Sequence, residues 1–115
     1  MRQVVLTTGE FTNEDEAIAL AKAAGLVPLA LDLEPSGIEH WHDFGAKVYV
    51  VEGSVRITDV DSGSNYEVQA GCSIQADAGA VHREEGPPYR AVVALETDPA
   101  TLTMPIDKAP ADRPA

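Results

Sequence analysis

The apolar positions near the N-terminus follow the spacing of an α-helix. Between residues 14 and 24, alanine, isoleucine and leucine recur at intervals of three and four, and Gly25 ends the pattern. Asn13 and Glu16 have the spacing of a capping box, and the acidic first turn suits the helix dipole. We therefore predict one short N-terminal helix over residues 14–24.

After Gly25 the pattern changes to short apolar runs and to alternation, which is typical of β-strands. Turn-forming clusters rich in Gly, Asp and Pro separate the runs, and we interpret Glu52-Gly53 as a hairpin turn. The predicted strands are 27–33, 37–42, 47–52, 54–60, 66–69, 72–75, 80–83 and 89–95, with 101–104 as a further candidate. Many short strands separated by such turns predict an all-β antiparallel sandwich or small barrel.

The chain of 115 residues has the length and composition of a single globular domain, with 44% hydrophobic and 23% charged residues. We place the core at about residues 26–104 and expect a C-terminal tail, 105–115, that crosses the surface or is partly disordered. The formal net charge of −11 argues against nucleic-acid or membrane-surface binding. A single cysteine excludes an internal disulfide framework, and no apolar run has the length of a signal peptide or membrane span, so we expect a cytoplasmic protein.

Three histidines, His40, His42 and His82, are the candidate metal ligands. On a strand, residues i and i+2 face the same side, so His40 and His42 can direct two imidazoles at one point. A third ligand has to come from elsewhere, and His82 is the only other histidine. Taken alone, the His-x-His pair is also typical of a polar strand face.

Two segments around these histidines resemble the motifs of the cupin superfamily. His40-x-His42 precedes residues 48–53, Val-Tyr-Val-Val-Glu-Gly, which resemble the end of the first cupin motif. The spacing of Gly71, the segment 77–79 and His82 is similar to that of the second motif. The resemblance covers about residues 37–86 and implies a double-stranded β-helix, or jelly-roll barrel, with the histidines as metal ligands.

The chain also departs from the cupin pattern. Ala46 stands where the first motif has its ligating glutamate, Asp77 stands where the second motif has proline, and Gly86 stands where it has asparagine. Gly37 lies closer to His40 than the first motif asks. Cupins with three histidines and one glutamate bind Fe, Mn, Zn or Ni. The resemblance therefore implies a three-imidazole site here, which keeps the full charge of a divalent metal and leaves coordination positions open.

These features lead us to expect a mononuclear metal-dependent enzyme, with Fe(II) preferred and Zn, Mn or Ni as alternatives. The expected substrate is a small anionic or chelating molecule, and dioxygenase-type chemistry is the leading class, by comparison with three-histidine cupins. Two alternatives stay open: a non-catalytic ligand-binding or sensor cupin, and a metal-dependent isomerase or lyase. A degenerate cupin with a weakened metal site is the simplest alternative to metal binding itself.

Further charged residues are candidates for the pocket. Glu84 lies two positions after His82 and would share its face on a strand, although we favour a solvated carboxylate within the run Arg83-Glu84-Glu85. Asp43 follows His42 directly and should face the opposite side. The candidates for binding a substrate anion are Arg56, Arg83 and Arg90, and surface charge is the favoured interpretation for each.

Three other side chains bear on packing. We expect Cys72 to be a small buried hydrophobic residue, and Trp41 to point away from the pocket onto another layer or a partner subunit. Tyr49 should face outward while Ala46, Val48 and Val50 face inward. Both faces of this strand are then apolar, which predicts that the N-terminal strand or a second subunit covers the outer face, and we expect a homodimer.

Overall fold

Short antiparallel strands dominate the computed structural model, which describes residues 4–9, 11–101 and 107–112. Within those ranges it contains eight strands and one α-helix. The elements are β1 (Val4–Thr7), α1 (Glu14–Ala23), β2 (Val27–Leu33), β3 (Ala46–Glu52), β4 (Ser54–Asp59), β5 (Ser64–Gln69), β6 (Ser73–Ala76), β7 (His82–Glu85) and β8 (Tyr89–Leu95), followed by short 3-10 helices at Pro99–Thr101 and Pro110–Asp112.

The strands form two antiparallel sheets with the main core between them. The larger sheet has the order β1-β6-β3-β8-β2, and the smaller has the order β5-β4-β7. Buried aliphatic side chains from both sheets meet in one cluster, for example Val50 and Ala91 from the larger sheet and Val55 and Val68 from the smaller. This arrangement is the predicted all-β jelly-roll architecture.

The turn at Gly53 joins the two sheets. The sequence had predicted a hairpin there, and this prediction was wrong. β3 pairs with β6 and β8, whereas β4 pairs with β5 and β7, so the chain passes from one sheet to the other at this point. Gly53 has φ +82°, and a Cβ there would lie 3.2 Å from Cβ of Tyr89. Glycine suits this corner because it adopts positive φ at no steric cost and allows β8 to approach closely.

Helix α1 begins and ends within one residue of the prediction. The Asn13 side chain accepts a hydrogen bond from the Glu16 N–H at 2.9 Å, as in a capping box. Ala17 and Ala21 are completely buried and pack in one cluster with Tyr49 and other residues of the larger sheet.

The outer face of β3 is therefore covered by α1. This corrects the prediction that the N-terminal strand or a second subunit covers Tyr49, which is buried in the cluster with Ala17 and Ala21. An apolar strand face indicates that another element covers it but does not identify that element. A helix with small residues can cover such a face as well as a strand or a second subunit can. The homodimer thus loses its supporting argument and stays a prediction, which light scattering can test.

Three local predictions differ from the structure. Residues 37–42 form no regular strand; His40 and Trp41 instead make isolated bridges to other segments. The strand expected at 80–83 is β7, two residues later, because a turn with Gly79 at φ +82° precedes it. Of the candidate strand 101–104, Thr101 belongs to a 3-10 helix and the other three residues lie outside the described part.

No helix among the described residues has both the length and the apolar character needed to cross a membrane.

Candidate metal centre

The three histidines come from two segments that lie side by side. His40 and His42 belong to the segment before β3, and His82 is the first residue of β7. The backbone N–H of His40 donates to the carbonyl oxygen of His82 at 2.9 Å, and the N–H of His82 donates to the carbonyl oxygen of His40 at the same distance. This antiparallel bridge places the two side chains on one face of the paired segments.

The imidazoles converge as predicted. Ring centroids lie 4.4 Å apart for His40 and His82, 5.0 Å for His40 and His42, and 5.2 Å for His42 and His82. Each residue offers a ligand atom within 4.8 Å of those of the other two. The ring of His42 also stacks on Phe44, with centroids 5.0 Å apart, which helps to hold its orientation. The donor set of three nitrogens fits Fe, Zn, Mn or Ni in the divalent state.

Backbone carbonyl groups set the tautomers of two of these histidines. Nδ1 of His40 lies 2.8 Å from the carbonyl oxygen of Ile38, and Nδ1 of His82 lies 3.0 Å from that of Ala80. A carbonyl oxygen only accepts, so Nδ1 donates and Nε2 keeps its lone pair in the neutral ring. Such outer hydrogen bonds are the usual way in which proteins orient metal-binding imidazoles.

His82 is suited to stay neutral. Burial lowers its pKa below the ordinary imidazole value, and the neighbouring His40 adds to the lowering. A neutral imidazole is the form that binds a metal ion.

The histidines open into an apolar pocket of about 310 Å³ within the barrel. Its wall is mostly aliphatic and aromatic, with Ala46 and Val48 of β3 among the lining residues. The predicted inward face of β3 is therefore correct for both. Ala46 occupies the motif position of the ligating glutamate and leaves that part of the wall without a carboxylate. A mostly apolar cavity with a few convergent polar groups is the common form of a small-molecule site.

Glu84 faces this pocket, which corrects the interpretation of it as a solvated carboxylate. Its Oε1 lies 4.0 Å from Nε2 of His82, and Tyr89 Oη donates to its Oε2 at 3.5 Å. Burial raises the pKa of Glu84, although His40 and His42 oppose the shift. Strand alternation from His82 correctly predicted that Glu84 faces the pocket. The charged neighbours Arg83 and Glu85 had led us to favour a solvated carboxylate instead.

Sequence reasoning did not single out Glu34, Ser36 or Asp107, which line the pocket, and of these Asp107 lies close to two of the histidines. Its Oδ1 lies 3.6 Å from Nδ1 of His42 and 3.9 Å from Nε2 of His40. Asp107 belongs to the predicted tail, and no periodicity in that segment indicates where the tail meets the domain. Trp41 makes the contact: it points away from the pocket as predicted, but packs under the chain's own tail, with its indole N–H donating to the Ala109 carbonyl oxygen at 2.7 Å.

The three arginines lie outside the pocket and form ion pairs. Arg56 pairs with Glu67, Arg83 with Glu39 and Glu85, and Arg90 with Glu14 and Asp32. The interpretation as surface charge is therefore correct for each, and none of them lines the pocket.

Two smaller predictions concern Asp43 and Cys72. Asp43 does not line the pocket and lies 4.0 Å from the Lys108 ammonium group. Cys72 packs against the main core as expected of a small hydrophobic residue, but it is half-buried and not buried as predicted.

Comparison of the chain and its structure with known proteins identifies its family. A DUF861 family protein from Thermotoga maritima has a similar structure, with a TM-score of 0.57 and 20% identity over 81% of this chain and 99% of that chain. The polyketide cyclase RemF from Streptomyces resistomycificus is similar with a TM-score of 0.50 and 27% identity, over 74% of this chain and 64% of that chain. No curated protein matches the sequence. Residues 31–94, more than half of the chain, match the family described as Cupin domain, and the protein therefore belongs to the cupin family.

Proposed function

We propose that this cupin is a mononuclear metal-dependent enzyme that moves a proton on a small, chelating, enolisable carbonyl compound. The observation that carries the proposal is the position of Glu84, whose carboxylate shares one apolar pocket with three convergent imidazoles. Barrel, pocket and imidazoles are compatible with several chemistries. A pocket carboxylate beside the metal centre favours the class in which a protein base takes up a proton.

The residues of the pocket have different roles in the proposed reaction. His40, His42 and His82 would hold the metal, which when bound acts as a Lewis acid on a carbonyl oxygen and makes the adjacent C–H bond more acidic. Glu84 accepts the proton from that carbon and returns it at the same or a neighbouring position. Tyr89 donates a hydrogen bond to Glu84 Oε2 and so holds the carboxylate on the pocket side.

The pocket wall favours a substrate with an apolar body. Aliphatic side chains from β2, β3 and β8 surround the cavity, among them Leu29, Val48 and Val93. They exclude water from the reacting carbon, which strengthens electrostatic interactions with the polar groups. The similarity to a polyketide cyclase supports a substrate with closely spaced carbonyl groups, because a polyketide chain carries such groups. A 1,3-dicarbonyl compound, whose two oxygens chelate one ion, is therefore the proposed substrate type.

Dioxygenase-type chemistry with Fe(II) is the second candidate. The observation in its favour is the absence of a carboxylate at Ala46 on β3, so that three imidazoles would hold the metal and β3 would leave a coordination position open. The two candidates differ in whether molecular oxygen is consumed.

One experiment separates these candidates. Protein loaded with Fe(II) or Zn(II) is incubated with acetoacetamide in D₂O, while α-proton exchange is followed by NMR and oxygen uptake by an electrode. Exchange above the buffer rate without oxygen uptake supports proton transfer, and oxygen uptake supports the dioxygenase. Glu84→Gln should abolish the exchange while leaving bound metal unchanged. Metal-loaded protein that shows neither reaction with any member of a 1,3-dicarbonyl series would overturn the proposal and favour a non-catalytic binding module.

A further inference from the structure

We propose that Asp107, in the C-terminal segment, is the carboxylate ligand that completes the three-histidine metal centre. Asp107 would replace the ligating glutamate of the first cupin motif, whose position is occupied by Ala46. The inference rests on the proposed metal-dependent function, because it assigns a fourth ligand to the same site. Asp107 lies beyond residue 94, where the match to the family ends, so the match gives no information about Asp107.

The carboxylate of Asp107 lies within 4 Å of two of the three imidazoles. Its Oδ1 is 3.6 Å from His42 Nδ1 and 3.9 Å from His40 Nε2. Both separations are longer than a hydrogen bond, so the carboxylate is not simply bonded to either ring. Zinc binds nitrogen and oxygen ligands at about 2.0–2.2 Å, which places two ligands of a tetrahedral ion about 3.4 Å apart. The carboxylate therefore needs to move only slightly to reach this separation from His40 Nε2 and His42 Nδ1.

The backbone holds Asp107 in this place. The N–H of Trp41 donates to the Lys108 carbonyl oxygen at 3.0 Å, and the N–H of Lys108 donates to the Trp41 carbonyl oxygen at 3.0 Å. Trp41 lies between His40 and His42 in the chain, so the residue that anchors the C-terminal segment is flanked by two of the ligands. Asp107 is the immediate neighbour of the anchor residue Lys108. The position of its carboxylate is thus coupled to that of the imidazoles.

Asp107 fits the role of ligand better than Glu84, which also lines the pocket. Glu84 lies 4.0 Å from one imidazole, that of His82, and its other oxygen accepts from Tyr89. Asp107 lies between two imidazoles, and its side chain is 63% exposed, at the mouth of the pocket. A carboxylate at the mouth lowers the net charge of a divalent centre without occupying the apolar interior where the substrate would lie.

Cobalt(II) binding to the full-length protein tests this assignment. Asp107→Asn is compared with Asp112→Asn, a matched control that removes the same charge from an exposed residue of the same segment. We expect the Co(II) dissociation constant of Asp107→Asn, measured by chelator competition, to rise at least about tenfold, since even outer-sphere partners contribute about 10–100-fold. The visible absorption of bound Co(II), which reports coordination number and geometry, should change in Asp107→Asn and not in Asp112→Asn.

A rescue variant adds a second readout. In the Asp107→Asn background, Ala46→Glu supplies a carboxylate from β3 and should restore most of the lost affinity. If Asp107→Asn binds Co(II) with the affinity and spectrum of the wild type, Asp107 is not a ligand and this inference fails while the three-histidine centre stands. Wild-type protein that binds no Co(II) would instead overturn the metal-dependent function itself. Equal losses in Asp107→Asn and Asp112→Asn would show a general charge effect and also overturn the assignment.

Discussion

His40 and His82 are paired through their backbones, each donating its N–H to the carbonyl oxygen of the other at 2.9 Å, and their ring centroids lie 4.4 Å apart. The two residues lie 42 positions apart in sequence. A single bridge between the segment before β3 and the start of β7 thus brings these candidate ligands together. His42 joins them from two residues further along the same segment.

Replacement of His82 should remove metal binding. His82→Gln keeps a polar side chain of similar length, and the backbone bridge between residues 40 and 82 does not depend on the side chain, so the local backbone should stay in place. We expect the metal dissociation constant to rise by more than about 100-fold, because loss of a ligand costs more than loss of an outer-sphere partner. Metal content after dialysis checks this, with Arg56→Gln, at an exposed ion pair, as the control. Full metal content in a folded His82→Gln protein would contradict the three-histidine site.

Metal affinity should fall as the solution becomes acidic. An imidazole binds metal only in its neutral form, and its ordinary pKa is about 6.5. Three imidazoles must be neutral, so affinity should drop steeply between about pH 7 and pH 5. Because burial lowers the pKa of His82, this imidazole should stay neutral to a lower pH than an exposed imidazole does. Isothermal titration across this range is the measurement, and a flat affinity would exclude imidazole ligands.

Glu84→Gln should stabilise the metal-free protein at neutral pH. Burial raises the pKa of Glu84, so the folded state binds its proton more tightly than the unfolded chain does. The free energy of unfolding therefore decreases as pH rises from about 4.5, the ordinary carboxyl value, through the folded-state pKa, and the full penalty is present above it. Glutamine carries no charge and avoids this penalty. The melting temperature of the variant should exceed that of the wild type at pH 7.5.

The same comparison at low pH supplies the control. Near pH 4 the wild-type carboxyl group is protonated, and the difference in melting temperature should largely disappear. A difference that stays constant from pH 4 to pH 7.5 would mean that packing, and not the charge of Glu84, is responsible.

Ala46→Glu in the wild-type background should tighten metal binding. Ala46 lies in the pocket wall beside Val48, so a glutamate there can supply an anionic ligand. The added carboxylate would occupy a position otherwise open to substrate, and any oxygenase-type activity should fall. The longer side chain also costs about 1–3 kcal/mol of stability if the wall cannot adapt. Dissociation constant and melting temperature are measured together, and unchanged affinity in a well-folded variant would show that residue 46 does not reach the metal.

The N-terminal cap of α1 should be worth about 1 kcal/mol. In Asn13→Ala the Glu16 N–H loses its hydrogen-bond acceptor, and α1, which buries Ala17 and Ala21 on the larger sheet, is weakened. Denaturant unfolding should show the loss, whereas Asn13→Ser should lose much less, because serine also caps a helix and adds no charge beside Glu16. A loss of equal size in both variants would point to something other than the cap.

The sequence by itself determined the local structure and the list of candidate metal ligands. Helical spacing with a capping box placed α1 to within one residue, and alternation placed Ala46 and Val48 on the inner face of β3. These features depend on neighbours within a few residues, which is the range over which periodicity and capping act. The cupin motifs added the spacing that joins His82 to the other two histidines.

Only the tertiary structure decided which segments meet. Alternation cannot tell a hairpin from a corner between sheets, so the partners of β3 and β4 emerged only from their pairing. The pocket position of Glu84 depends on Tyr89 and on the barrel wall around it, and the position of Asp107 depends on the bridge between Trp41 and Lys108. Contacts between residues far apart in the chain follow from how whole elements pack, and no local pattern of hydrophobic and polar residues records them.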